Sequence, residues 1–89
     1  DISYLANRKL NEKSFEAVIF PNPTKGIFSI EAVEFISEIE INNTLGEVVY
    51  KKEIHAHSEK IDLTNQPAGM YYIHVLTKNG ISVKKLIFE

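Results

Sequence analysis

Residues 69–88 read Gly-Met-Tyr-Tyr-Ile-His-Val-Leu-Thr-Lys-Asn-Gly-Ile-Ser-Val-Lys-Lys-Leu-Ile-Phe. Two β-prone runs flank Lys78-Asn79-Gly80. Asn-Gly between such runs is the strongest short-range hairpin signal, because both residues tolerate a positive φ. In the first run Tyr71, Ile73 and Val75 take one face, and Met70, Tyr72, His74 and Leu76 take the other, which is the period of a strand. Both faces carry large apolar groups. That favours a central strand with a covered outer face over an exposed patch of the kind that marks interaction sites. Tyr71 follows the Pro67-Ala68-Gly69 corner. From there a tyrosine hydroxyl can reach back to upstream backbone, as in the tyrosine corner of Greek-key sandwiches.

The same period spreads outward from this hairpin. Phe28 and Ile30 share a face in 27–31, and Ile39 and Ile41 oppose Glu38, Glu40 and Asn42 in 37–42. Residues 15–20, 48–54 and 60–63 are further β-rich runs. Pro21-Asn22-Pro23 stops the first of them, since proline fixes φ and offers no donor to a ladder. Asn22 to Gly26 then reads as a turn. Asn42 to Gly46 reads as another, with Gly46 a candidate for positive φ. Together these predict an all-β fold: an Ig-like antiparallel β-sandwich of about seven strands, with turns every eight to twelve residues or so. Residues 1–14 are polar and weakly periodic and read as a linker from an upstream protein. Residues 15–89 form the domain. The chain begins at Asp1 rather than Met, which suggests a fragment or matured piece, with any targeting segment upstream.

Composition narrows the function classes. The chain has 89 residues, enough for one domain with a thin core and little room for a deep pocket. A net charge of −2 argues against nucleic acid as a partner. There is no cysteine, which leaves the redox compartment open, and no apolar run of membrane-spanning length.

Few side chains suggest chemistry. His55 and His57, two apart on a strand, would point the same way and could bind a metal with His74 or Glu53 as a third ligand. A solvated edge strand explains them more simply, since zinc wants three or four ligands. Glu38 and Glu40 lie about 7 Å apart along one strand face, a separation that glycoside hydrolysis can use. Their alternation with isoleucines already accounts for them as a wet face. No nucleophile elbow or phosphate loop appears. Asn42-Asn43-Thr44 fits a glycosylation acceptor that a turn explains equally well. The chain is expected to be no enzyme, to use no cofactor or metal, and to take no small-molecule substrate.

The turns, in contrast, form an ordered set. Phe20-Pro21-Asn22-Pro23-Thr24-Lys25-Gly26, then Leu45-Gly46-Glu47-Val48-Val49, then Ile61-Asp62-Leu63 with Pro67-Ala68-Gly69-Met70-Tyr71-Tyr72-Ile73-His74-Val75, then Lys84-Lys85-Leu86-Ile87 follow one another at fixed spacing. Over residues 18–89 this set resembles the type A C-terminal sorting domain of the type IX secretion system, also called the Por secretion system tail domain. The resemblance implies a non-enzymatic sorting signal that directs a larger secreted cargo across the outer membrane. It implies an outer-membrane translocon and a shuttle protein as partners, and a sortase-like transpeptidase that cuts in or before residues 1–14. It implies passage through the periplasm to the cell surface or beyond. By position it carries Pro21, Asn22, Pro23, Gly26, Gly46, Gly69, Tyr71, Lys84 and Lys85 as motif or recognition residues, and the hairpin 69–88 is the expected recognition element. The alternative is an Ig-like or fibronectin-like accessory or carbohydrate-associated module.

Overall fold

Alternating apolar and polar residues form five strands in the computed structural model, which describes residues 17–89. They are β1 (Ala17–Phe20), β2 (Ile27–Asn43), β3 (Val48–Asp62), β4 (Gly69–Thr77) and β5 (Gly80–Phe88). The expected linker at residues 1–14 and the first two residues of the expected 15–20 strand lie outside the described residues. All strand pairings are antiparallel. β2 is the hub: β3 lies along one side of it, while β1 and then β4 share the other side, and β5 adds to β4.

Seventeen residues of β2 extend about 53 Å at a strand's usual rise. The longest dimension of the domain is 47 Å, so β2 must bend. It does so at register shifts between Glu31 and Ile36 and between Ile36 and Glu38. The bend lets Ile27–Ala32 meet β1 and the end of β3, while Ile36–Asn43 meets β4 and the start of β3. The sheet curls until Thr24 makes a parallel bridge to Phe88 on β5. Inside the curl sits one core: Phe28, Ile30, Ile36, Ile39 and Ile41 from β2, Ile54, Ile61 and Leu63 on and just after β3, and Tyr71, Ile73, Val75, Leu86 and Phe88 from the last hairpin.

Three expectations are corrected. The fold is all-β and antiparallel, but it has five strands rather than about seven. Residues 27–31 and 37–42 are two halves of β2, and 48–54 and 60–63 are two halves of β3, because no Gly or Pro in 32–36 or 55–59 breaks the chain. The hairpin is present, but its loop is Lys78-Asn79, with Thr77 paired to Gly80. Gly80 alone takes the positive φ, 149°, and Asn79 does not. Finally, β4 is not covered on its outer face. Met70 and Tyr72 are exposed, and His74 and Leu76 half-buried.

Candidate functional site

The Pro21–Gly26 segment closes the curl. Asn22 donates from Nδ2 to the Lys85 carbonyl at 2.8 Å, and its Oδ1 accepts from the Ile87 N–H at 3.0 Å. The side-chain amide thus pairs with β5 as a backbone amide would. Two residues on, the Thr24 N–H donates to the Ile87 carbonyl and the Glu89 N–H donates to the Thr24 carbonyl. Thr24 is buried, and its hydroxyl donates to the Ile27 carbonyl and accepts from the Gly26 N–H. Gly26 has φ 124°. A Cβ there would sit 2.6 Å from Thr64 Cγ2 and 3.2 Å from Phe88 Cζ, so only glycine fits.

The remaining motif residues gather around the same end of the sheet. Asn43 pairs with Tyr71, Tyr71 with Leu86, and Gly69 with Phe88. The Asn42–Gly46 turn, the Pro67–Gly69 corner and the Pro21–Gly26 segment are therefore brought together around the end of β5. Asn43 Oδ1 accepts from the N–H groups of Leu45 and Glu47, and Gly46 takes φ 85°. The Tyr71 hydroxyl donates to the Pro67 carbonyl, as a tyrosine corner requires, and its ring lies 6.4 Å from that of Phe88. Burial raises the Tyr71 phenol above its ordinary pKa, so the hydroxyl remains a donor. Lys84 and Lys85 point to opposite faces of β5: Lys84 is half-buried opposite Ile73, and Lys85 is exposed opposite Tyr72.

Two residues inside the quoted motifs have roles that the sequence reading did not assign. Thr24 reads as a turn residue, yet it is buried and carries the bridge to β5. Asp62 Oδ1 accepts from both the hydroxyl and the N–H of Thr64, and those bonds hold its carboxyl below the ordinary value of 3.8. The Asp-Leu-Thr spacing is a side-chain turn signal and could have revealed it.

The other candidates do not assemble into chemistry. Phe35 packs against both His55 and His57, with ring centroids 6.4 and 5.3 Å apart. Among the described residues no group of three or more His, Cys, Asp or Glu is placed to hold an ion. Glu38 and Glu40 both face Lys51 Nζ, at 3.6 and 4.0 Å. Asn42 of the glycosylation pattern turns its Nδ2 to the Gly46 carbonyl. Its Oδ1 is buried and unpartnered, a state that costs about 1–3 kcal/mol.

The family described as secretion system C-terminal sorting domain matches residues 18–89. The chain belongs to that family. This sorting domain is a C-terminal sorting signal for type IX secretion, a role that entails contact with secretion machinery and export to the cell surface or extracellular space. The sorting domain is also similar to Beta-agarase A of Zobellia galactanivorans, 34% identical over 71 residues. That match covers 78% of this chain and 13% of the agarase, so the chain spans about an eighth of that relative's length.

Proposed function

We propose that the sorting domain acts as a folded, non-catalytic address for a larger cargo polypeptide, read chiefly on the β4–β5 hairpin. The observation that carries this is the pairing of Asn22 and Thr24 with Lys85, Ile87 and Glu89. It ties the first family motif to the last. In this view Pro21, Asn22, Pro23, Gly26, Gly46, Gly69 and Tyr71 shape the backbone so that β5 is held in place, and Lys84 and Lys85, on the two faces of β5, belong to the hairpin that is read. The readers are an outer-membrane translocon and its shuttle protein, met in the periplasm. A sortase-like transpeptidase then cuts in or before residues 1–14, leaving 15–89 as the domain removed. The exposed apolar side chains of Met70, Tyr72, Ile81 and Val83 suit recognition by strand addition. The small share of the agarase that the sorting domain matches supports a cargo much larger than the signal, and an enzyme of that kind is a fitting cargo.

The test is a reporter fused to residues 1–89 in a strain with the secretion system. Lys84→Ala/Lys85→Ala should leave the fold intact and strand the reporter in the periplasm. Asn22→Ala should lower thermal stability and export together. Full surface delivery by the double lysine variant would overturn recognition on the hairpin.

A further inference from the structure

The bonds that close one end of β5 reveal which of its backbone groups face outward. Ile87 gives its N–H to Asn22 Oδ1, and its carbonyl accepts from the Thr24 N–H. The Lys85 carbonyl accepts from Asn22 Nδ2. In an antiparallel ladder, residues that turn both groups toward the neighbouring strand alternate with residues that turn both away. β4 and β5 pair without a register shift from Gly69 opposite Phe88 to Thr77 opposite Gly80. Ile81, Val83 and Lys85 therefore turn outward with Ile87. The N–H and carbonyl of Ile81 and of Val83, and the Lys85 N–H, meet no partner among the described residues. A row of such groups is a template for another strand. The side chains of Ile81 and Val83 are exposed, on the face they share with Leu76 and His74 of β4. Ser82 and Lys84 stand on the opposite face, since side chains alternate along a strand.

Charge selects the strand that fits. Residues 69–88 contain Lys78, Lys84 and Lys85 and no Asp or Glu, so the net negative charge of the chain comes from other elements. Glu38 and Glu40 lie on β2 opposite Leu76 and His74, across β4 from the open edge, and both face Lys51 Nζ. Glu34 meets Asn79 at the hairpin tip. Glu89, past the end of β5, lies 3.9 Å from Lys25. A second copy of β5 would set lysines toward lysines. A strand with apolar side chains on the Ile81–Val83 face and carboxylates on the Lys84 face meets the backbone, the apolar surface and the charge together. We propose that the open edge of β5 accepts a partner strand in which apolar and acidic residues alternate, bonded to the backbone of Ile81 and Val83 and to the Lys85 N–H. This rests on the hairpin as recognition element and adds the edge that is used and the chemistry of the reader.

The test is amide hydrogen exchange of the full chain, read by NMR, with the synthetic peptide acetyl-Ser-Val-Glu-Val-Glu-Val-Ser amide. In the free chain the Ile81 and Val83 amides should exchange fast, and those of Ser82 and Lys84, which face β4, slowly. The peptide at millimolar concentration should slow Ile81, Val83 and Lys85. Lysine in place of both glutamates of the peptide should weaken binding about threefold or more, because like charges across strands repel. Lys84→Ala/Lys85→Ala should remove that preference. Methylating the valine nitrogens and methylating the glutamate nitrogens block alternate edges of the peptide, so one of these two peptides should bind and the other should not. Ile81 and Val83 amides already slow in the free chain, no slowing by the peptide, equal binding of the basic peptide, or two methylated peptides that behave alike would each overturn the proposal. These readings are made on the unsubstituted chain, so they hold even if the lysine variant unfolds. Export is not measured: if the peptide fails while the double lysine variant still strands the reporter, recognition on the hairpin stands and strand addition does not.

Discussion

Replacing Gly26 with alanine tests the closure of the sheet at its tightest point. The new methyl would lie 2.6 Å from Thr64 Cγ2 and 3.2 Å from Phe88 Cζ. Neither neighbour yields easily. Rotating Thr64 away breaks the bond from its hydroxyl to Asp62 Oδ1, and Phe88 is packed in the core. Nor can Gly26 itself move, since its N–H is bound to Thr24 Oγ1 and its carbonyl accepts from the Leu63 N–H at 2.7 Å. Holding an alanine at φ 124° costs about 1–3 kcal/mol, and forcing a methyl into a filled site costs about 1–3 kcal/mol more. The sum is about 2–6 kcal/mol, which for a domain of this size lowers Tm by about 10 °C or more. Gly46→Ala is the control. It shares the positive φ, 85°, but its Cβ would meet nothing within 4 Å. The two variants, compared by urea unfolding followed by circular dichroism, should therefore differ by at least the steric part, about 1–3 kcal/mol. If they agree to within about 0.5 kcal/mol, crowding at Gly26 is not what holds the segment against β5.

Tyr71→Phe keeps the ring against Phe88 and deletes the bond to the Pro67 carbonyl, so stability should fall by about 0.5–1.5 kcal/mol; an unchanged urea midpoint would show that the corner is held by packing alone. The Asp62 carboxyl titrates lower in the folded chain than in the unfolded chain because of its bonds to Thr64. Its contribution is therefore present above the ordinary value of 3.8 and is lost as pH falls through the folded value. The stability difference between the natural chain and Asp62→Asn should shrink on acidification, and a difference constant from neutral to strongly acid pH would exclude the linkage.

Much of the fold is legible because period two survives in the residues that pack. Tyr71, Ile73 and Val75 fall on the buried face of β4 as their spacing requires, and Ile39 and Ile41 do the same on β2. What could not be read is how the runs join. Phe28, Ile30 and Ile36 are buried at even spacing and Ile39 at odd spacing, because the register shifts between Ile36 and Glu38. No glycine or proline marks that bulge, so one bent strand looks like two. The hairpin turn slipped by one residue for a similar reason: Gly80 alone supplies the positive φ that Asn-Gly was expected to share. Leu45, prominent in the middle motif, is 82% exposed, so its place in the pattern does not come from the core.

The first motif shows most clearly what a local reading loses. Pro-Asn-Pro-Thr-Lys-Gly looks like a turn, and every residue in it has a turn propensity. The structure assigns it a second, long-range task. Asn22 and Thr24 are the two positions that bond to β5, more than sixty residues away in sequence. Pro21 and Pro23, on either side of Asn22, have no N–H to give to it. Prolines at those positions leave no donor unsatisfied, and they fix φ on either side of Asn22. The stretch is thus an edge seal rather than a turn: it covers the Lys85–Glu89 end of the outer edge of β5, which bare backbone would otherwise expose to pairing with another chain. Among the described residues nothing is seen to pair with the Ile81–Val83 part of that edge, and the side chains of Ile81 and Val83 are exposed and apolar. For a domain read by strand addition, as proposed above, the asymmetry would serve both ends: the seal would keep the strand native at one, and the open part would leave a partner somewhere to add. On that proposal the motif and the hairpin are two halves of one device, and both lie within the 18–89 stretch that the family matches.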